Sequence, residues 1–171
     1  MADYRDATLL EIGCGVGHLH QKLLEQGARS AVGVDLAPKM LAEAGALALE
    51  RGLRDRVQYL EGDFIDLYDQ IKPVNITLLD KVVCCYPDAH TLVNKSLDKT
   101  NRVYAMTYPR DRWFVRLGVK LSALLLCLIR SGFRSYVHDP ESIEAWIIQR
   151  GFVKRFQEKT VCWVTQIYVR A

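Results

Sequence analysis

The chain has 171 residues, of which half are hydrophobic and a quarter are charged. This is the composition of an ordinary globular protein, and the length predicts a single domain. The net charge of +3 argues against the concentrated basic face with which proteins bind nucleic acid. The five cysteines form no C-x-x-C pair, so we expect free thiols and no metal site. The short charged segment 1–6 is unlike a signal peptide and indicates the cytoplasm.

The first predicted unit is a strand, a loop, a helix and a second strand. The apolar residues 7–12 predict a buried strand. Three glycines follow at alternate positions: Gly13, Gly15 and Gly17. An amphipathic helix over residues 19–24 ends before Gly27, and a strand over residues 30–34 ends in Asp35. A unit of this kind is the minimal nucleotide-binding half of a doubly wound sheet, in which an acid at the end of the second strand accepts hydrogen bonds from ribose hydroxyls.

The rest of the chain continues the alternation of helices and strands. Helices are predicted over residues 38–51, 65–70, 89–98 and 140–150. Strands are predicted over residues 56–60, 75–79, 102–107, 152–160 and 162–170. Ligands of open α/β sheets bind outside the carboxyl ends of the strands, so residues 80–86 and 108–110 are expected to border a bound ligand.

The segment 111–132 is an unusually apolar predicted helix. It places Arg112, Arg116 and Lys120 on one stripe, while leucine, valine and aromatic residues cover the rest of its surface. A helix of this kind is buried or lies in a membrane surface, and its uninterrupted apolar run is too short to span a bilayer. Three roles are open for this helix: it forms a wall of the core or of a substrate pocket, it contacts a membrane surface, or it forms a dimer face.

The spacing of the glycines distinguishes two classes of cofactor. A dinucleotide fingerprint, G-x-G-x-x-G, requires its third glycine at position 18, which is His18. The stretch E-I-G-C-G-V-G instead resembles motif I of the class I S-adenosylmethionine-dependent methyltransferases. The stretches Val34-Asp35-Leu36-Ala37-Pro38 and Glu61-Gly62-Asp63-Phe64 strengthen this resemblance.

The resemblance implies both a cofactor and its contacts. The cofactor is S-adenosylmethionine, and Asp63 would hold the adenine amino group while the backbone at Phe64 meets the ring. The contacts that the resemblance assigns to the cofactor are Glu11, Gly13, Cys14, Gly15, Gly17, Asp35, Leu36, Asp63, Phe64 and Asp80. In similar methyltransferases a helical segment usually precedes the first strand and helps to cover the cofactor. Only six residues precede it here, so we expect the domain, over residues 1–171, to lack most of that cover.

A longer resemblance covers most of the chain. The stretches LLDKVVCCYPD, AMTYPRD and FRSYVHDP are similar to those of small methyltransferases related to magnesium-protoporphyrin O-methyltransferase. The family implies a seven-stranded, mostly parallel sheet with helices on both faces and an antiparallel C-terminal strand. It does not identify a residue that selects the substrate.

Three side chains are the candidates for a catalytic base, Tyr86, Tyr108 and His138, because all three lie at predicted strand ends or in a polar loop. His90 and Arg110 are further substrate-side candidates. The competing interpretation for each histidine is a surface or helix-capping role. If the acceptor were a carboxylate, no base would be needed, and Arg110 or Arg134 would orient it.

These observations predict an enzyme that transfers a methyl group from S-adenosylmethionine to a small, apolar or planar molecule at oxygen. The alternative is a non-catalytic binding module with a methyltransferase fold. A nicotinamide-dependent dehydrogenase is disfavoured by His18. The acceptor and the oligomeric state are not predicted.

Overall fold

A computed structural model describes residues 4–110, 136 and 138–171. Its strands are β1 (Thr8–Ile12), β2 (Ser30–Asp35), β3 (Val57–Glu61), β4 (Val74–Asp80), β5 (Thr100–Pro109), β6 (Phe152–Lys159) and β7 (Trp163–Arg170). Its helices are α1 (His18–Glu25), α2 (Pro38–Glu50), α3 (Ala89–Asp98) and α4 (Pro140–Gln149). The predicted helix over residues 111–132 and the candidate Arg134 lie outside the described residues.

The strands form one seven-stranded sheet in the order β3-β2-β1-β4-β5-β7-β6. The pairs among β1 to β5 are parallel, whereas β7 runs antiparallel to both β5 and β6. The predicted doubly wound, mostly parallel sheet with a reversed last strand is therefore confirmed. The bounds of its strands lie within two residues of the predicted ones.

One predicted helix is wrong. Residues 65–70 were expected to be helical, but the chain forms turns that end in a short 3-10 helix, Tyr68–Gln70. The carboxylate of Asp63 accepts a hydrogen bond from the backbone N–H of Ile65 at 2.8 Å. The Asp63 carbonyl oxygen also accepts a hydrogen bond from the Leu67 N–H at 3.0 Å, so the chain closes one turn and then continues as the 3-10 helix without further α-helical turns.

Apolar side chains fill both faces of the sheet. Leu9 packs in a cluster that includes Leu24 of α1 and Ala48 of α2. Leu10, its neighbour in β1, packs in a cluster that includes Ile147 of α4 and residues of α3. Successive side chains of a strand point to opposite faces, so a continuous apolar run in β1 places a layer of helices on each side.

The register aligns the carboxyl ends of the central parallel strands along one edge of the sheet. Ile12 of β1 pairs with Val34 of β2, and Asp35 pairs with Glu61 of β3. The loops that follow β1, β2, β3 and β4 therefore leave the sheet on the same side. Within the described part of the chain, no helix has the length and apolar character required to cross a membrane.

We predict that replacing Leu10 by alanine lowers the free energy of unfolding by about 3–5 kcal/mol, because the side chain is 0% exposed in the central strand and leaves a cavity. The matched control is Leu49→Ala in α2, where the leucine is 67% exposed and the change is expected to stay within about 0.5 kcal/mol. Urea denaturation followed by circular dichroism measures both. Equal losses in the two variants would contradict the described core.

Candidate functional site

The glycine loop between β1 and α1 has a backbone that only glycine adopts without strain. Gly13 and Gly15 have φ angles of +66° and +53°, in the left-handed region. A Cβ atom at Gly13 would lie 2.5 Å from a methyl group of Val82, which follows β4. Among the residues that the structure describes, none has an atom within 4 Å of a Cβ atom placed at Gly15. The loop is thus packed against the β4 loop on one side and faces open space at Gly15, where a ligand can approach the backbone.

The carboxylate of Asp35 joins this loop to the end of β2. One oxygen accepts a hydrogen bond from the Gly15 backbone N–H at 2.7 Å, and the other accepts one from the Ala37 backbone N–H at 2.9 Å. A carboxylate has about four acceptor positions, and these two hydrogen bonds, both from described residues, occupy two of them. Leu36, the residue after Asp35, is largely exposed. The structure therefore brings together Gly15, Asp35 and Leu36, three of the predicted cofactor contacts.

Glu11 lies behind the loop, in the interior, and is only 4% exposed. One of its carboxylate oxygens contacts the backbone nitrogen of His20 at 3.1 Å and the ring Nδ1 of the same residue at 2.5 Å. The other ring nitrogen of His20 lies 3.1 Å from the hydroxyl of Tyr59. Glu11 therefore attaches the first turn of α1 to β1. His20 and Tyr59 were not predicted as partners of this residue; an acid within the apolar run directly before the loop was the signal that such partners had to exist.

A second acid, Asp63, lies in the loop after β3 and is hydrogen-bonded to Tyr86. The Tyr86 hydroxyl is 3.0 Å from one carboxylate oxygen and 3.1 Å from the other. The neighbouring Phe64 is buried in the core. Burial and the hydrogen bond to Asp63 raise the pKa of Tyr86, so this hydroxyl stays protonated near neutral pH. Tyr86 is a hydrogen-bond donor in this arrangement, which makes it unsuitable as a general base.

Tyr108, the second candidate for a base, is buried in the sheet. Its hydroxyl donates a hydrogen bond to the side-chain oxygen of Gln166 at 2.9 Å, and burial raises the pKa of Tyr108 to about 12. The hydroxyl of Tyr168 donates to the same oxygen at 2.8 Å. The Tyr108 hydroxyl is thus part of a polar cluster inside the fold, away from open space.

His138, the third candidate, contacts the loop after β4. Its Nε2 lies 2.8 Å from the backbone carbonyl oxygen of Tyr86, so Nε2 carries the proton that is donated. In a neutral ring the lone pair is then on Nδ1, the position able to accept a proton. The ring of His138 also stacks on that of Tyr136. The Tyr136 backbone N–H donates a hydrogen bond to the carbonyl oxygen of Cys84 at 2.6 Å.

The remaining candidates lie around this edge or outside it. Asp80 is exposed and forms an ion pair with Lys81 at 3.7 Å. Arg110 donates a hydrogen bond to the backbone oxygen of Thr160 at 2.8 Å. His90 packs against the edge of the Trp146 ring. Among the described residues, no three side chains of histidine, cysteine, aspartate or glutamate are grouped so as to hold a metal ion.

A shallow groove of about 670 Å³ lies between α2 and β3. Its walls include Leu41, Leu49, Arg54 and Gln58. None of the predicted cofactor contacts lines this groove, so it is a separate feature of the surface.

Cys84 and Cys85 are neighbours in the 3-10 turn that follows β4, with their sulfur atoms 3.7 Å apart. A hydrogen bond from the Cys84 thiol lowers the pKa of Cys85 to about 7, and the same contact raises the pKa of Cys84. Cys14, in the glycine loop, is buried, and burial raises the pKa of its thiol to about 12. Of the three described thiols at this edge, Cys85 is therefore the one whose pKa is lowered.

We predict that alkylation of Cys85 by iodoacetamide accelerates with rising pH and reaches half its maximal rate near pH 7, because the thiolate is the nucleophile. In Cys84→Ala the stabilising donor is lost, so the midpoint should move up towards about 8.5, the value of an unperturbed thiol. Peptide-resolved mass spectrometry measures the rate, and circular dichroism checks the fold. An identical midpoint in the two proteins would show that Cys84 does not stabilise the thiolate.

Comparison with known proteins identifies the family. A family described as a methyltransferase domain matches residues 9–106. The ribosomal protein L11 methyltransferase of Pasteurella multocida is 39% identical over 56 residues, which are 33% of this chain and 19% of that protein. The matched part of this chain therefore covers about a fifth of the length of that relative.

Solved structures that share the fold include two methyltransferases. The magnesium protoporphyrin IX methyltransferase of Synechocystis PCC 6803, solved with bound S-adenosylhomocysteine, has a TM-score of 0.79 at 20% identity, over 99% of this chain and 76% of that one. An O-methyltransferase family 2 protein from Planctomyces limnophilus, in complex with apigenin, has a TM-score of 0.75 at 19% identity, over 100% of this chain and 52% of that one. The match over residues 9–106 covers more than half of the chain, and the chain belongs to the methyltransferase domain family.

Proposed function

We propose that this protein is an S-adenosylmethionine-dependent methyltransferase whose cofactor lies across the glycine loop. The observation that carries the proposal is the hydrogen bond between the Asp35 carboxylate and the Gly15 backbone N–H, at a point where the loop faces open space. Family membership and the fold support this assignment. The donor set fits the cofactor, because an acid with unused acceptor positions suits ribose hydroxyls and exposed backbone suits a charged amino-acid tail.

In this proposal each acid has a different role. Asp35 binds the ribose hydroxyls, and Asp63 binds the adenine amino group beside the backbone of Phe64. Gly13, Cys14, Gly15 and Gly17 supply the backbone against which the methionine part of the cofactor lies, and Asp80 borders the methyl group. Glu11 supports the loop from behind through His20, as its burial and its two contacts indicate.

The cofactor, when bound, supplies a methyl group that is already activated on a sulfonium centre. The residues of the chain then have to align the acceptor, exclude water and, for a hydroxyl acceptor, remove a proton. We assign proton removal to His138, because its donated Nε2–H leaves Nδ1 as the basic position. The raised pKa of Tyr86 and the buried hydroxyl of Tyr108 argue against the other two candidates.

We further propose a small, apolar or planar acceptor that is methylated at oxygen. The support is limited to the fold: two structures of similar fold bear the names of a protoporphyrin methyltransferase and of an O-methyltransferase with apigenin. The L11 methyltransferase, which matches a third of this chain, has a ribosomal protein in its name, so a protein acceptor is the competing proposal. Assays with planar carboxylates and phenols, followed by assays with ribosomal proteins, distinguish the two.

We predict that Asp35→Ala weakens the binding of S-adenosylhomocysteine by about 10- to 150-fold, because hydrogen bonds to a charged group are worth about 1.5–3 kcal/mol. Isothermal titration calorimetry measures the affinity. Asp69→Ala is the matched control, since Asp69 is exposed in the short 3-10 helix after the Asp63 loop. An affinity that is the same in wild type and Asp35→Ala would contradict the proposed ribose contact.

A further inference from the structure

Tyr86 links three segments that are far apart in the sequence. Its hydroxyl contacts Asp63, in the loop after β3. Its backbone carbonyl accepts the hydrogen bond from His138, in the segment before α4. Its own position, in the turn after β4, is held by the backbone bond from the Tyr86 N–H to the Val83 carbonyl oxygen and by packing of its ring on the apolar core. A single residue therefore contacts both sides of the proposed site: its hydroxyl contacts Asp63 on the adenine side, and its backbone carbonyl contacts His138 on the acceptor side.

We propose that Tyr86 is a positioning residue that selects adenine by fixing the carboxylate of Asp63. This inference rests on the proposed function, because it assigns a role to Tyr86 in cofactor recognition. It goes beyond the proposed function because it assigns the orientation of the Asp63 carboxylate to Tyr86. In this role Tyr86 contacts the carboxylate and not the reacting atoms.

The hydrogen bonds around Asp63 explain how the positioning works. One oxygen of Asp63 accepts from the Ile65 backbone N–H at 2.8 Å, and the Tyr86 hydroxyl lies within 3.1 Å of both oxygens. Tyr86 has one proton to donate, so these contacts use two of the four acceptor positions of the carboxylate. They hold its plane in one orientation and leave acceptor positions for the amino group of adenine. A carboxylate held in this way loses less conformational freedom when the ligand binds.

The chemistry of the purine base makes the positioning role of Tyr86 specific to adenine. Adenine presents an amino group, which donates to a carboxylate. Hypoxanthine presents an oxygen at the same position, which a carboxylate repels. An oriented carboxylate therefore improves the binding of an adenine nucleoside and has no such benefit for the hypoxanthine nucleoside. A purely structural role for Tyr86 would change the binding of both ligands equally.

The test compares S-adenosylhomocysteine with S-inosylhomocysteine in wild type and in Tyr86→Phe. The variant keeps the packed ring and removes only the hydroxyl. We expect the affinity for S-adenosylhomocysteine to fall about fivefold, as for the loss of one hydrogen bond, and the affinity for S-inosylhomocysteine to stay the same. The preference for adenine should therefore fall about fivefold as well.

The matched control is Tyr68→Phe, which also removes only a hydroxyl; the Tyr68 ring packs on the ring of Phe64 and lies under the ammonium group of Lys99, and both ring contacts are kept in the variant. Its adenine preference should equal that of wild type. Thermal unfolding checks that both variants are folded. If Tyr86→Phe is less stable than wild type, the ratio of the two affinities is still valid. Both ligands bind only the folded molecules, so the folded fraction cancels from the ratio.

Each other outcome has a distinct meaning. If wild type binds S-adenosylhomocysteine and Tyr86→Phe binds it equally well, the role of Tyr86 is wrong and the proposed function stands. If both affinities fall by the same factor, Tyr86 is structural and the inference is overturned. If wild type binds neither ligand, the proposed function itself fails and the inference fails with it.

Discussion

The hydrogen bond from the Gly15 N–H to the carboxylate of Asp35 is the interaction on which the rest of the site depends. It joins the loop after β1 to the end of β2, two strands that are already paired in the sheet. The loop reaches Asp35 with Gly13 and Gly15 in the left-handed backbone region. The absence of a side chain at Gly13 also lets the loop pack against Val82, with which a Cβ atom there would collide. The bond between Gly15 and Asp35 therefore helps to hold the glycine loop against the turn that follows β4, and Tyr86 lies at the end of that turn.

Two kinds of acidic residue lie at the carboxyl edge of the sheet, one buried and one partly exposed. Glu11 is buried behind the loop and contacts His20, so its task is to hold α1 in place. Asp35 and Asp63 are partly exposed and already accept backbone N–H bonds that fix their orientation. Carboxylates that are oriented before a ligand arrives bind it with a smaller entropic cost. This arrangement is what a site for a polar nucleoside requires.

The sequence predicted the features that depend on local patterns. The glycine loop, the acid at the end of β2 and the order of the elements follow from spacing and periodicity, and the structure agrees. The environments of Tyr108 and Tyr86 were not predictable in this way, because their hydroxyl partners, Gln166 and Asp63, are 58 and 23 residues away in the chain. Such contacts depend on the packing of the whole sheet.

The helix expected over residues 65–70 failed for a different reason. Four of its six side chains, Ile65, Asp66, Tyr68 and Asp69, are only moderate helix formers, so local preference does not extend the turn at Asp63 into an α-helix. The carboxylate of Asp63 binds the Ile65 N–H within this turn and is also the proposed adenine contact.

The most direct test of the central claim is hydrogen–deuterium exchange with and without S-adenosylhomocysteine. A cofactor bound across the glycine loop should slow exchange in residues 13–17, 35–37 and 62–65, which belong to three separate loops at one edge of the sheet. Exchange in the groove between α2 and β3 should stay unchanged. Slower exchange confined to that groove, or no change in any of the three loops, would contradict the placement of the cofactor.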